Sequence, residues 1–412
     1  MRWWHIALVG IAHGAMAGTI RVCDTCRIQS IGSAIAQASK GDTVLVYAGV
    51  YRESNIQIDK PLWVEGVGHP KVDVQQRGYG FVLRADSITL RGFEIYDVEQ
   101  SYVKEYAAVL VRRCTTFVLE DLRIRRAFFG ILVEKSSNGL IRRNRISGIY
   151  RTEAESGNGI HLWHCKQMRI EDNVIHHMRD GIYFEFVSRS VIERNHSHDN
   201  LRYGLHFMFS NNDEYHDNVF ERNGAGVAVM FSKYIYMRRN VFRDNWGVAS
   251  YGLLLKEIYD ATITDNHFLR NTIGINIDGS TRIRYERNLF QANGWAVRIL
   301  GASYQNDFSE NNFLHNTFDV AFSGRETTVR FVRNYWSDYT GYDLDKDGYG
   351  DVPYRPVKLF SYIVNQVPEA MVLLRSLFVG LINFSEKVSP VFTPDNLIDN
   401  RPAMRAYDIK VR

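Results

Sequence analysis

Several features that would define a protein class at once are missing from this chain. Its 412 residues include only eight prolines and no low-complexity run, which argues against long linkers. The formal net charge of +4 gives no reason to expect a nucleic-acid partner. The sequence has neither a glycine-rich phosphate loop nor a His/Cys spacing of the zinc type, so phosphate-loop nucleotide binding and zinc fingers are excluded.

What the chain does carry is a repeat. A phrase made of a charged residue, an asparagine and an apolar residue recurs nine times between residues 144 and 334. Successive asparagines are separated by 29, 22, 23, 22, 26, 22, 24 and 22 residues, and a nearly fixed period of this size is typical of a solenoid. These asparagines are Asn144, Asn173, Asn195, Asn218, Asn240, Asn266, Asn288, Asn312 and Asn334.

A second phrase indicates which kind of solenoid this is. Most coils contain a glycine that opens an alternating run, such as Gly181 to Phe186, and alternation of apolar and polar residues predicts a half-buried strand. The leucine-rich consensus is absent, and roughly 22 residues leave no room for a helix beside two strands. We therefore predict an all-β, right-handed parallel β-helix of about ten coils, right-handed because that form is the commoner one. The asparagines are expected to adopt the left-handed conformation at a bend and to bond to one another as an amide ladder.

Stacking of the coils predicts which side chains share a face. The first and third residues after each repeat glycine are apolar in every coil and must point inward, so the second and fourth point outward. Neighbours within such a column should lie about 4.8 Å apart. The column of second residues reads Leu132, His161, Tyr183, His206, Ala228, Leu254 and Asn276. The column of fourth residues reads Glu134, Trp163, Glu185, Met208, Met230, Lys256 and Asp278.

Composition divides the chain into five segments. Residues 1–17 have an arginine, an apolar run and an Ala-Met-Ala end, which predicts a secretory signal; an N-terminal strand or anchor is the alternative. Export would place a bacterial protein in the periplasm, where disulfides are permitted. We expect an N-terminal cap with a short helix over 18–42, the β-helix over 43–336, an acidic closing loop over 337–365 and a helical tail over 366–412.

The four cysteines fall into two groups. Cys23 and Cys26 form a Cys-x-x-Cys motif, which is typical of a metal-binding or redox pair or of a local disulfide. No thioredoxin-like context surrounds them, so the disulfide is favoured. Cys114 and Cys165 are expected to be buried in the coils.

The acidic closing loop matches half of a calcium site. Asp343, Asp345 and Asp347 occupy positions 1, 3 and 5 of a calcium-binding loop, a glycine follows at position 6, and Asp351 falls at position 9. Position 12 is Tyr354, which cannot supply the bidentate carboxylate. The four aspartates are calcium candidates, and a hydrogen-bonded acidic turn is the alternative.

The tail has an apolar helical face that includes Met371, Leu374, Phe378 and Leu381. Arg375 lies off this face, and the apolar stretch that carries it is shorter than the roughly 20 apolar residues that a membrane span needs. Two interpretations stay open. The helix caps the far end of the solenoid, or it docks to a partner or a membrane surface.

The end of the repeat resembles the NosD family. The resemblance rests on Asn-Tyr-Trp-Ser-Asp-Tyr at 334–339, Asp-Lys-Asp-Gly at 345–348 and Pro-Tyr at 353–354, which follow coils with the asparagine phrase and a signal-like N-terminus. It implies a periplasmic β-helix protein that delivers copper to the tetranuclear copper–sulfide site of nitrous oxide reductase. It also implies work with an ABC transporter made of an ATPase and a membrane subunit, with a copper-chaperone lipoprotein and with the reductase.

This implied role can be compared with the outward columns. Cuprous copper prefers thioether, thiolate and imidazole ligands, which makes His206, Met208, Met230 and, two coils away, His161 the copper candidates. The alternative is a packed surface beneath the tail or beneath the insertion at 147–157. That insertion and another at 245–251 are expected to leave the stack on one side, often the binding side.

Two other functions compete with copper transfer. Many β-helices cleave or epimerise acidic polysaccharides, which requires a base or paired carboxylates beside a cation. Glu185, Lys256 and Asp278 share an outward column, but Met208 and Met230 separate Glu185 from Lys256 by roughly 14 Å, too far for one catalytic centre. We therefore expect a protein that is not an enzyme. A metal-free docking scaffold is the third hypothesis.

Overall fold

A computed structural model describes residues 17–101, 103–149, 151–247, 250–323, 328–374, 376–388 and 397–410. They wind into a right-handed parallel β-helix of about thirteen turns, which confirms the predicted fold class. The prediction of about ten coils was too low because the first coils lack the asparagine phrase. The predicted signal lies, except for its last residue, outside the described residues.

Each full coil contributes one strand to each of three parallel sheets. The first sheet has fourteen strands, Thr19–Val22, Thr43–Tyr47, Trp63–Val67, Ile88–Arg91, Thr115–Glu120, Ser137–Arg142, Arg169–Glu171, Val191–Glu193, Glu214–His216, Tyr236–Arg238, Tyr259–Thr264, Thr281–Glu286, Asp307–Ser309 and Arg330–Val332. The second has thirteen, Val50–Tyr51, Lys71–Asp73, Glu94–Tyr96, Arg123–Ala127, Arg145–Gly148, Val174–His176, His196–His198, Val219–Glu221, Val241–Arg243, His267–Leu269, Leu289–Gln291, Asn312–Leu314 and Tyr335–Trp336. The third has twelve, Ile56–Ile58, Phe81–Leu83, Ala107–Arg112, Phe129–Glu134, Ile160–Trp163, Asp180–Glu185, Tyr203–Met208, Ala225–Met230, Tyr251–Lys256, Ile273–Asp278, Trp295–Leu300 and Phe318–Ser323.

The predicted amide ladder lies at the bend between the first and second sheets. In a typical step, the backbone N–H and the Nδ2 of Asn218 both donate to the Oδ1 of Asn240, at 3.1 and 2.9 Å. The left-handed residue is the charged one before each asparagine, such as Asp217 with φ of 60°, and not the asparagine itself as predicted. The ladder also uses Asn311, whereas the predicted Asn312 begins the next strand.

A second ladder, which the sequence analysis missed, lies at the bend between the second and third sheets. Its first asparagine accepts from the backbone N–H of Met178, and each later one accepts from the backbone N–H of the asparagine one coil before it. The members are Asn200, Asn223, Asn245, Asn271, Asn293 and Asn316. Two bends of each coil in this part are therefore fixed by buried amides.

Insertions gather at this same bend. The segments 97–106, 149–159 and 244–250 all connect a strand of the second sheet to a strand of the third. The second and third of these correspond to the predicted insertions, which are confirmed to leave the stack on one side. The first went unrecognised because its coil lacks the asparagine phrase.

The N-terminal cap consists of the strand Thr19–Val22 and helix α1, Ile31–Gln37. The buried side chains of α1, including Ile31 and Ile35, join the main core and so cover its open end. Cys23 and Cys26 form the expected disulfide. Cys114 and Cys165 are buried and free, as predicted.

The C-terminal end differs from the helical tail that was predicted for 366–412. Helix α2 spans Leu359–Gln366, a 3-10 helix spans Pro368–Leu373, and helix α3 spans Leu377–Val388. The predicted continuous helical face is therefore broken into short segments. No described helix is long and apolar enough to cross a membrane.

The last described segment, residues 397–410, returns to the end of the solenoid and closes it. Asp399 is fully buried and accepts from the backbone N–H of Asn334 at 2.9 Å and from the Nε1 of Trp336 at 3.1 Å. It takes the place that the next asparagine would occupy in the ladder. This segment is part of the β-helix end and not of a docking tail.

Asp213 is an exception among the buried side chains at the bend between the third and first sheets. Its Oδ1 accepts from the backbone N–H of Ser190 at 2.8 Å, but its Oδ2 has no hydrogen-bond partner. Burial raises the pKa of Asp213 from 3.8 to about 8, so the side chain is protonated near neutrality. Four coils later Asn306 occupies the same column and satisfies both ends of its amide, by accepting from Ile283 and donating to Ser280.

We expect Asp213→Asn to stabilise the protein at pH 7 to 8. The pKa of Asp213 is higher in the folded state than in the unfolded state. Asp213 therefore contributes fully to the free energy of unfolding below pH 3.8, and this contribution is lost as the pH rises through about 8. The variant does not titrate and should exceed the wild type by a few kcal/mol near neutrality, with the difference shrinking toward pH 4. Urea unfolding measured as a function of pH checks this.

The matched control is Asp244→Asn, at a half-buried carboxylate paired with Arg270. That change should not reproduce the neutral-pH gain. A pH-independent difference between Asp213→Asn and the wild type would contradict the assigned protonation.

Candidate functional site

The outer face of the third sheet has three zones. At its N-terminal end, an apolar cluster that includes Leu110, Phe129 and Leu132 covers the face. At its C-terminal end, α2 packs against the last strands, and Phe360 contacts Phe318 with ring centroids 6.1 Å apart. Only the coils between these ends leave the face open, and all four copper candidates lie there.

A chain of aromatic rings runs across this open zone. Tyr183 lies between the two candidate histidines, with its ring centroid 4.7 Å from His161 and 4.9 Å from His206. Tyr203 closes the other side of His206 at 4.7 Å. Because the rings cover one another, His161 and His206 are only 7% and 5% exposed although they point outward. The outward column of the sequence analysis did not predict this cover.

His206 belongs to a buried charged group. Asp180 is fully buried, and Arg202 donates to both of its carboxylate oxygens, with Nε to Oδ1 at 2.8 Å. The Nδ1 of His206 lies 3.5 Å from the Oδ2 of Asp180. Burial opposes ionisation of Asp180, but these hydrogen bonds keep its pKa below the ordinary value. Nδ1 of His206 is therefore within ion-pair distance of the carboxylate, and neither ring nitrogen has a hydrogen-bond partner among the described residues.

Asp180 and Arg202 were not found from the sequence. Asp180 is the residue directly before the repeat glycine, and its contact with His206 places it on the outer face, although strict alternation would turn it inward. Asp180 pairs with Tyr203 in the same register as Ile182 with Leu205. Treating the residue directly before each repeat glycine as outward-facing would have identified the column that contains Asp180 and Tyr203.

Met208 and Met230 are brought together as predicted by the columns. They are paired directly in register on neighbouring strands and both are half-buried. The hydroxyl of Tyr183 lies 3.5 Å from the sulfur of Met208 and can donate to it. The two thioethers are thus the accessible soft donors of the open zone.

His161 is not part of the same cluster. Its strand is two strands from that of His206 and Met208, and Tyr183 fills the strand between them. By strand spacing it lies roughly 14 Å from the strand of Met230. Burial, aided by the charge of Arg179, lowers the pKa of His161 to about 4 and keeps its ring neutral. His161 cannot share one metal ion with the methionine pair.

Glu185 and Lys256 do not share a catalytic centre. The register runs from Glu185 through Met208 and Met230 to Lys256, as predicted, so Glu185 and Lys256 are three strands apart. Asp180 is bound by Arg202 and is fully buried. Glu185 and Lys256 therefore do not supply the catalytic centre that the polysaccharide-modifying alternative needs.

The acidic loop brings together three of the four calcium candidates. Asp343, Asp345 and Asp351 each place one oxygen within 4.8 Å of the others. Asp347 instead forms an ion pair with Arg401 of the closing segment. The two oxygens of Asp343 also accept from backbone N–H groups, with Gly348 at 2.9 Å, as in the alternative of a hydrogen-bonded turn.

The four predicted docking residues do not share one face. Met371, Phe378 and Leu381 are exposed, Leu381 at 68%. Leu374 instead packs against the cluster formed by Phe318, Phe360 and their neighbours on the third sheet. It therefore belongs to the anchor of the tail.

Comparisons with known proteins agree with this architecture. Residues 146–341 match the NosD family, described as periplasmic copper-binding protein. A protein named probable ABC transporter binding protein NosD from Pseudomonas aeruginosa is 28% identical, over 87% of this chain and 86% of its own length. The protein of the same name from Stutzerimonas stutzeri is 26% identical over the same shares.

Solved structures share the fold at low identity. A mutant of the periplasmic alginate epimerase AlgG has a TM-score of 0.53 at 11% identity, covering 71% of this chain and 76% of its own. The Dettilon tailspike protein has a TM-score of 0.56 at 15% identity, covering 68% and 62%. These two likenesses concern the β-helix alone. Over its repeat region the chain is similar to the NosD family, and over most of its length it is similar to two proteins that carry the NosD name.

Proposed function

We propose that this protein is a periplasmic accessory factor that receives or delivers cuprous copper during maturation of the copper site of nitrous oxide reductase. The proposed partners are the ATPase and membrane subunits of an ABC transporter, a copper-chaperone lipoprotein and the reductase. The proposal is supported by the family's copper-binding description and by the names of the relatives. The observation that carries it is the pair of accessible thioethers, Met208 and Met230, in register on an outer face.

The chemistry of the pair fits a transferable soft ion. Thioethers are neutral ligands that prefer Cu(I). Met208 and Met230 would hold the ion, and Nε2 of His206 is the third donor in this proposal. His161 is left out of the set because Tyr183 separates it from His206. A site that is half-exposed and held by flexible side chains suits exchange with a partner more than permanent storage.

We expect Met208→Leu/Met230→Leu to weaken cuprous binding by about tenfold or more while leaving the fold intact. Leucine keeps the volume of methionine but cannot coordinate, and both positions are only half-buried. Anaerobic titration against a competing cuprous chelator measures the affinity, and thermal unfolding checks the fold.

The matched control is Met237→Leu, at a methionine that is buried in the core. It should bind cuprous ion like the wild type. Equal cuprous affinities for the wild type and the double variant would show that the two thioethers do not bind the ion. The absence of cuprous binding in all three proteins would favour the metal-free scaffold.

The exposed apolar side chains of α3 are proposed to dock the protein to the membrane subunit of the transporter. Phe378 and Leu381 stay exposed, although Val379 anchors the same helix to the third sheet. An anchored helix with an uncovered apolar side is suited to a groove on a partner.

We expect Phe378→Ser/Leu381→Ser to reduce co-purification with the transporter subunits by at least tenfold, because two apolar anchors are lost. Leu344→Ser, at an exposed leucine of the acidic loop, is the control. These point variants are better than deletion of 367–412, which would also remove the buried Asp399. Undiminished co-purification would assign docking to another surface.

Calcium is proposed for the three grouped carboxylates of Asp343, Asp345 and Asp351. We expect millimolar calcium to raise the unfolding temperature by a few degrees, because it binds only the folded loop, and Asp345→Asn to abolish the rise. Asp338→Asn, at a nearby carboxylate paired with Lys358, should keep it. If the unfolding temperature is the same in calcium and in chelator, the grouped aspartates are explained by the hydrogen-bonded turn and not by a calcium site.

A further inference from the structure

Four histidines lie side by side on the outer face of the second sheet. His176 and His198 are paired in register at the ends of neighbouring strands, His196 lies two residues before His198, and His177 follows His176 at the bend. Their positions range from half-buried to exposed, so solvent reaches the group. This surface is separate from the third sheet that carries Met208 and Met230.

The imidazole rings are in contact. The ring centroids of His176 and His198 are 5.1 Å apart in a stacked pair, and those of His196 and His198 are 4.4 Å apart. The Nδ1 atoms of His176 and His177 are only 2.6 Å apart, so one of them must donate to the other.

Carboxylates orient two of the rings from behind. The Nε2 of His196 lies 2.9 Å from an oxygen of Glu221, and the Nδ1 of His198 lies 2.5 Å from an oxygen of Asp199. Both carboxylates are also bound by Arg222. This leaves Nδ1 of His196 and Nε2 of His198 as the unoccupied ring nitrogens. Imidazole held by a carboxylate through one nitrogen is the arrangement of histidines that bind metal through the other.

We propose that His176, His196 and His198, assisted by His177, form a second metal site that takes a divalent transition ion. Imidazole suits zinc and copper, and among divalent ions of the first transition row the cupric ion binds nitrogen ligands most strongly. The proposal does not rest on the thioether pair, which suits the softer cuprous ion.

Binding requires a modest rearrangement of the rings. Among the described residues, only the acidic trio near Asp343 has three carboxylate, imidazole or thiol ligand atoms within 4.8 Å of one another. The imidazoles must therefore turn about their side-chain torsions to converge on one ion. Their half-buried and exposed positions permit this.

The test uses tag-free full-length mature protein titrated with copper(II) sulfate in the presence of a weak competitor. We expect one strongly bound cupric ion whose electron paramagnetic resonance spectrum shows coupling to imidazole nitrogen. The variant His176→Asn/His198→Asn should lose at least tenfold in affinity and lose that coupling. A parallel titration with zinc sulfate should show weaker binding at the same residues.

A matched control makes the result specific. His164→Asn/His216→Asn changes two other histidines and should bind like the wild type. Wild-type affinity in His176→Asn/His198→Asn, or an equal loss in the His164 and His216 variant, would overturn the proposal. Anomalous diffraction at the copper edge from soaked wild-type crystals gives a second readout, and a peak away from His198 would also overturn it. Cuprous binding is measured separately, so failure here is distinguishable from failure of the thioether site.

Discussion

The stacked asparagine amide is the interaction on which this structure depends. Each ladder amide is buried, so its donors and acceptor must find partners inside the protein. They find them one coil away, as when Asn218 donates to Asn240, which fixes the register of every coil against the next. A coil displaced by one residue would leave a buried amide unpaired and would turn its apolar side chains outward. The end of the ladder needs an acceptor as well, and Asp399 supplies it from the returning C-terminal segment.

Fixed register determines the chemistry of the surface. Side chains that are one repeat apart in sequence become neighbours about 4.8 Å apart on the outside, so a short local change in the repeat produces a cluster. Met208 and Met230 are brought together in this way on the third sheet, and His176 and His198 on the second. The same constraint keeps Glu185 away from Lys256, because two intervening strands cannot be removed without breaking the ladder.

The features that recur in every coil could be predicted from the sequence, whereas the positions where the repeat is interrupted could not. The period, the glycine-led strands and the pairing of Met208 with Met230 follow from alternation and spacing alone. The burial of His206 does not, because it depends on the ring of Tyr203, which lies on the outer face although strict alternation would turn it inward. Asn312 was chosen over Asn311 because both fit the phrase, and only the backbone path separates the bend from the strand. The tail was misjudged because closure by Asp399 is a contact across 65 residues that no local pattern reports.

The outer face of the third sheet is covered at both ends, which limits where a partner can approach it. Its N-terminal end is closed by Phe129 and its neighbours and its C-terminal end by α2, so a partner can approach the thioethers only through the middle. Four strand spacings, roughly 19 Å, separate the strand of Met230 from the strand on which α2 is anchored. A protein held at α3 is thus within one small domain's width of the methionine pair. Because the tail leaves the last coil on this face, a partner docked at α3 would also be near the methionine pair. Ion exchange would then need no movement within the solenoid.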